Sequence, residues 1–177
     1  RAIKCAHLHN VKIYLTLNTL LKADELKDAY ESVRPLYESG LDGVIVQDLG
    51  AAHMLSYCFP GLKLHASTQM SIMNSYGADL MRANGFDRIV PARELTLDEV
   101  RDIRQKTGME IECFIHGAMC YSYSGLCLMS SIIGERSGNR GRCAGTCRLP
   151  FCAHGSVNAG RSEYPLSMKD MCTVDII

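Results

Sequence analysis

Short apolar runs that suit a pleated sheet alternate along this chain with longer stretches whose apolar residues recur every three or four positions. Residues 11–18, 43–48, 63–69, 88–92 and 110–116 are rich in β-branched and apolar side chains and predict five strands. Between them, residues 24–39 place Leu26, Ala29, Tyr30, Val33, Leu36 and Tyr37 on one helical face, with Gly40 as the stop. Residues 96–106 carry Thr96 and Glu99 in a capping-box spacing ahead of the stripe Leu97, Val100 and Ile103. Residues 50–58 and 70–83 fit helices less cleanly. Residues 1–10 read as the tail of a helix and residues 168–177 as the start of one, so the chain is expected to be an internal piece of a longer protein.

Strands that alternate with helices imply parallel βαβ units, and hence an α/β fold. An open doubly wound sheet and a (β/α)8 TIM-like barrel both satisfy that order. No Gly-rich phosphate loop follows the first strand, which weighs against the dinucleotide-binding open sheet. Polar residues collect at the C-terminal ends of the strands: Asn18, Gln47, Asp48, residues 67–69, Arg93, Glu94 and His116. That is the end at which barrels build their active sites. The favoured reading is a partial barrel over residues 1–118, a Cys-rich segment at 119–160, and the start of a truncated element at 161–177. His65, Gln69, Arg93, Glu94 and His116 are the candidates for a substrate cavity. Glu112 and Cys113 lie on opposite faces of one strand, so only one of them can point inward.

Composition narrows the class without naming it. The 177 residues carry 19 Lys plus Arg against 19 Asp plus Glu, so no global field draws the chain to nucleic acid. No apolar stretch approaches the roughly 18 to 20 residues of a membrane span, and the start lacks the layout of a signal peptide, which reads as cytoplasmic. In that setting nine cysteines argue for metal or redox chemistry over a disulfide framework. Cys5, Cys58 and Cys113 fall inside regular patterns and are expected to be small buried hydrophobes.

Cys120, Cys127, Cys143 and Cys147 are different. Gaps of six, fifteen and three residues gather them in a glycine-rich stretch without sustained periodicity. Thiolates are soft ligands for zinc or iron–sulfur clusters, and the missing two-residue knuckle leans away from zinc without excluding it. Arg136, Arg140, Arg142 and Arg148 share the segment, where they can offset thiolate charge or grip the phosphates of RNA or another anion. Tyr121 and Tyr123 have the chemistry to stack on a base, although packing within the loop is the commoner use of an aromatic in such a segment.

The run Glu112-Cys-Phe-Ile-His-Gly-Ala-Met-Cys120, continued through Gly125-Leu-Cys127 to Ser130, resembles the signature of the collagenase-like peptidase family U32. Ser137-Gly-Asn-Arg-Gly-Arg-Cys-Ala-Gly-Thr-Cys-Arg-Leu-Pro-Phe151 is similar to the same family, as are His65-Ala-Ser-Thr-Gln69, Pro91-Ala-Arg-Glu94 and Leu166-Ser-Met-Lys-Asp170. The resemblance implies a barrel with strands before residue 1 and after residue 177. It further implies a [4Fe–4S] cluster on Cys120, Cys127, Cys143 and Cys147, with Cys172 as the reserve fourth ligand. It points to the branches that hydroxylate tRNA or rRNA without oxygen, with prephenate as co-substrate. Two other functions stay open: a peptidase using a cysteine with His116 as base, or a metal, and a non-catalytic zinc or iron–sulfur module that binds RNA. Neither His-Glu-x-x-His nor Gly-x-Ser-x-Gly occurs.

Overall fold

The computed structural model describes residues 1–151, 163–168 and 171–172. The chain divides into two compact units, Arg1–Cys113 and Phe114–Ile177.

In the first unit α1 (Ala2–Leu8) leads into β1 (Tyr14–Leu17), and a 3-10 turn precedes α2 (Leu26–Glu38). There follow β2 (Gly43–Val46), α3 (Leu49–Cys58), β3 (Lys63–Ala66), α4 (Ser75–Ala83), β4 (Arg88–Ile89), α5 (Leu97–Thr107) and β5 (Glu110–Ile111). The five strands form one parallel sheet in the order β1-β2-β3-β4-β5. Every strand thus adds beside its predecessor, with no reversal that would make a doubly wound crevice. Because such crossovers are right-handed, steps that always advance in one direction place the connecting helices on one face.

The helix-facing side chains are Leu15 and Leu17, Val44 and Val46, Leu64 and Ala66, Ile89, and Ile111, which the register sets side by side. They join Val33, Leu55, Phe59 and Ile103 in one core. All six positions of the predicted α2 stripe are in or against that core. Phe59 stacks on Tyr30 with centroids 5.2 Å apart. The stripe of α5 is only partly used: Ile103 is buried, whereas Leu97 is left exposed at the first turn.

Short polar side chains start the helices. Asp48 Oδ1 accepts from the Ala51 amide at 2.8 Å, while its Oδ2 accepts from Leu21, so the residue caps α3 and ties down the loop after β1. Thr96 and Glu99 form the capping box that their spacing predicts. Gly108 ends α5 at φ +68°, where a side chain would be strained.

In the second unit β6 (His116–Gly117) pairs antiparallel with β7 (Met171–Cys172), and α6 (Met129–Gly134) is the one α-helix among its described residues. Two expectations change here. Residues 110–116 are not one strand: β5 ends at Ile111, and His116 belongs to a separate two-stranded sheet. Residues 171–172 are strand, not helix, because their backbone groups are satisfied across the ladder to residues 116–117. The cysteines expected to be buried are also corrected, since Cys5, Cys58 and Cys113 are all exposed. No helix among the described residues is long and apolar enough to cross a membrane.

The core carries a direct expectation for stability. Leu55 is fully buried and Leu49, one turn and a half earlier on α3, is 62% exposed. Leu55→Ala is expected to cost about 2–5 kcal/mol in urea unfolding of a folded form of the protein, and Leu49→Ala less than about 0.5 kcal/mol.

Candidate functional site

Strand alternation sends every second side chain to the face the helices leave uncovered. In register, Tyr14 stands beside Gly43 and Lys63, and Thr16 beside Ile45, His65, Arg88 and Glu110. The ladder runs one step further: Ser67 N donates to Val46 O at 2.9 Å and Glu112 N to Ile89 O at 3.0 Å. Gln47, Ser67 and Glu112 therefore fall on the same open face, which apart from Ile45 and Gly43 carries side chains with polar groups, where the helix face is wholly apolar.

A connected network crosses it. Arg88 donates through Nη2 to Glu110 at 2.5 Å and through Nη1 to Glu112 at 2.8 Å. Its guanidinium lies 5.1 Å from the Tyr14 ring centroid. The Tyr14 ring in turn packs on His65, centroids 4.7 Å apart and tilted by 55°. Tyr14 is on β1 and His65 on β3, so the ring must pass over β2. Gly43 makes that passage: a Cβ there would sit 3.2 Å from Tyr14 Cδ1 and 2.9 Å from the Lys63 carbonyl oxygen.

Charge follows geometry. Burial alone would lower the pKa of Arg88, but the hydrogen bonds it donates to Glu110 and Glu112 outweigh it and raise it further above the usual range. The bond from Arg88 holds the Glu110 carboxyl below its ordinary value, against the effect of burial. His65, 1% exposed, is pushed down by burial and then by the Arg88 charge, against the opposing pull of Glu112, Glu110 and Asp87. Its imidazole is thus neutral at physiological pH, a donor on one nitrogen and an acceptor on the other.

Of the expected cavity residues, His65 is therefore central. Gln69 lies in the 3-10 turn Thr68–Met70 that leaves β3, its amide donating to Ser67 Oγ at 3.3 Å, and Thr68 Oγ1 pins the turn to Pro91 O at 3.0 Å. Arg93, half-buried, and Glu94, exposed, follow β4 in the turn ahead of α5. His116 is placed in the other unit, which corrects its expected position at the end of the fifth strand. Between Glu112 and Cys113, Glu112 takes the open face. Tyr14, Arg88 and Glu110 were not singled out by sequence. The signal was present, as polar residues at alternating positions of three runs, but it becomes a site only once the register aligns them.

In the second unit Cys120, Cys127 and Cys147 are half-buried and Cys143 is exposed. Local ties draw their loops together. Ser130 Oγ, three residues after Cys127, accepts from the Ala144 amide beside Cys143 at 2.9 Å. Arg148, beside Cys147, donates to Met119 O, beside Cys120, at 2.9 Å. The Gly145 amide donates to Cys143 Sγ at 3.4 Å. The donor chemistry and these ties suit a thiolate-bound cluster. Even so, no three His, Cys, Asp or Glu among the described residues are gathered as a metal-binding set. Cys152 lies outside the described residues, and of Cys172 only the backbone is described, opposite His116.

The arginines divide. Arg136 and Arg142 are exposed and Arg140 half-buried. Arg148 is a strut: besides Met119 O, its guanidinium donates to Met168 O at 2.6 Å and Ser167 Oγ at 3.1 Å. That internal use corrects the expectation of an open phosphate contact there. Tyr121 and Tyr123 are exposed.

The model of Peptidase family U32 matches residues 1–177. The chain belongs to that family. Over 169 residues this U32 chain is 45% identical to the 23S rRNA 5-hydroxycytidine C2501 synthase of Escherichia coli (strain K12), covering 93% of itself and 25% of that protein. It is 36% identical to tRNA hydroxylation protein P of the same organism, over 82% of this chain and 32% of that one. It is 30% identical to a collagenase of Porphyromonas gingivalis (strain ATCC BAA-308 / W83), over 94% and 43% respectively. The chain thus spans between a quarter and just under half of the curated relatives it matches. Among solved structures it is similar to the U32 peptidase Mk0906, with a TM-score of 0.51 at 20% identity, over 66% of this chain and 51% of that one. That likeness concerns the fold alone.

The depressed His65 pKa fixes a pH signature. In the window from 6.5 downward to the folded-state value, the unfolded chain binds a proton that the folded chain does not, so stability falls as the solution is acidified. The contribution is complete above the unfolded pKa. Relative to wild type, His65→Gln is expected to flatten the stability–pH curve below pH 6.5 by up to about 1.4 kcal/mol per pH unit, measured by urea unfolding at a series of pH values.

Proposed function

We propose that this U32 chain is part of an enzyme that hydroxylates a pyrimidine in tRNA or rRNA without molecular oxygen, with prephenate as co-substrate. The observation that carries the reading is the 45% identity, over 93% of the chain, to an rRNA 5-hydroxycytidine synthase. The polar network on the open face supports it from the side of chemistry. Five parallel strands in sequential order, with their helices on one face, form an arc of a TIM-like barrel, and the open face is then the lumen.

In this reading Cys120, Cys127, Cys143 and Cys147 hold a [4Fe–4S] cluster, with Cys172 in reserve for the fourth position and zinc as the alternative metal. When bound, such a cluster supplies one-electron transfer. The amide of Gly145 fixes the position of the Cys143 sulfur, and the Ser130 and Arg148 ties hold the ligand loops in register. On the sheet, Arg88 with its two carboxylates fixes Tyr14, and Tyr14 fixes the neutral His65 as a hydrogen-bonding surface. Arg136, Arg140 and Arg142 attract the RNA backbone. The protein works in the cytoplasm, where its RNA is.

A peptidase is the second reading, favoured by the likeness to a collagenase. It needs an activated nucleophile, and the Cys113 thiol, although the residue is exposed overall, is pushed the wrong way: the desolvation its neighbours impose and then the Glu112 charge raise its pKa.

Deleting the full-length gene is expected to remove one hydroxylated pyrimidine from the nucleoside profile of tRNA or rRNA, read by mass spectrometry. An unchanged profile together with gelatin cleavage by the purified protein would favour the peptidase. Purified without air, the full-length protein is expected to carry iron and sulfide, and each of Cys120→Ser, Cys127→Ser, Cys143→Ser and Cys147→Ser to lose most of both. If Cys147→Ser retains them while Cys172→Ser does not, the fourth ligand moves to Cys172. Zinc without sulfide would replace the cluster by a zinc site.

A further inference from the structure

Five buried side-chain polar atoms among the described residues lack a hydrogen-bond partner, and four of them cluster on the open face or at its C-terminal rim: Gln47 Oε1, His65 Nδ1, Arg88 Nε and Gln69 Oε1. Buried polar groups are nearly always satisfied, so a concentration of exceptions marks where something else bonds. Gln47 and His65 are both more than nine-tenths buried. They stand on adjacent strands, about 5 Å apart across the ladder, and two residues apart along it. Gln69 closes the group from the turn that Ser67 and Pro91 anchor.

The charge on this face selects the kind of ligand. Arg88 is already matched by Glu110 and Glu112, and Lys63 stands at the N-terminal end of the face, away from Gln47 and Gln69, where its charge acts on Glu110; the pair of carboxylates thus offsets both cations, which disfavours a phosphate or carboxylate beside His65. His65 is itself uncharged. What remains are the carboxamide oxygens of Gln47 and Gln69, which accept, and one nitrogen of a neutral imidazole, which donates or accepts according to its tautomer. That set complements an uncharged, planar ring whose edge carries N–H donors beside an acceptor.

We propose that Gln47, His65 and Gln69 are the contact surface for the base of the pyrimidine nucleotide, and that Arg88 and Tyr14 are positioning residues behind it. The proposal rests on the RNA-hydroxylation reading, and it separates base recognition, on the sheet, from the arginines and cysteines of the second unit. A base seated there gains the hydrogen bonds that the buried atoms lack. Removing one of them leaves a polar edge of the base unpaired on binding.

The test uses the full-length protein in a strain lacking its own copy. Wild type, Gln47→Leu and His65→Phe are compared for the hydroxylated pyrimidine by mass spectrometry, with protein level, melting temperature and iron content measured alongside. Modification is expected to fall about tenfold or more in both variants while iron is retained. Wild-type modification in both overturns the proposal. Where either variant melts several degrees lower, Gln69→Leu, on the half-buried turn, decides instead. Should wild type itself restore no hydroxylated pyrimidine, the functional reading has failed, and binding of free cytidine and uridine to the purified protein settles the site. Binding that is weakened in the variants upholds a base site of another enzyme; absent or unaltered binding overturns it.

Discussion

The two-residue period of a parallel sheet is the constraint on which everything in the first unit depends. Five strands in unbroken register turn that period into two continuous surfaces. One is Leu, Val, Ala and Ile from edge to edge and anchors the helices. The other collects Tyr14, His65, Arg88, Glu110, Glu112 and Gln47. A shift of one residue in any strand would exchange the two, burying a charge among the helices and presenting a leucine to the polar network. Register and site are therefore the same fact. The apolar face alone makes such a slip costly, and the Arg88 pairs across β4 and β5 add a specific penalty of their own.

How far the sequence disclosed this follows from the range of the forces involved. The helices were legible because their signals are local: the stripe of α2, and the Thr96 box four residues long. The strands were located within a few residues because β-branched runs are local too. What was not legible was set by partners distant in the chain. The run 110–116 reads as one strand because Ile111, Cys113 and Ile115 alternate, yet only its first two residues find a parallel neighbour. Residues 171–172 read as helix because nothing nearby reveals their partners at 116–117. Cys5, Cys58 and Cys113 were assigned to the interior from residue type, and no local pattern tells which side of an element meets the core.

The site shows the same division. His65 and Gln69 stood out because they share a short motif at a strand end. Arg88 and Glu110 did not, because each opens a short run and reads as a flanking charge. They become one ion pair only when β4 and β5 lie side by side. Tyr14 is further hidden: its ring reaches His65 across an intervening strand, and the feature that permits it is the absence of a side chain at Gly43. In the second unit the cysteines were visible as a spacing, whereas the role of Arg148 as a strut could not be told from that of its three neighbours.

That strut has a consequence in time. Arg148 fastens to Met168 O and Ser167 Oγ, some twenty residues further along, as well as to Met119 O behind it. During synthesis the clasp cannot close until that later stretch has left the ribosome, although all four cysteines have already emerged. The loops bearing them are then held only by their nearest neighbours. The chain thus has an interval, built into the order of its own residues, in which the four thiols have emerged before the second unit locks.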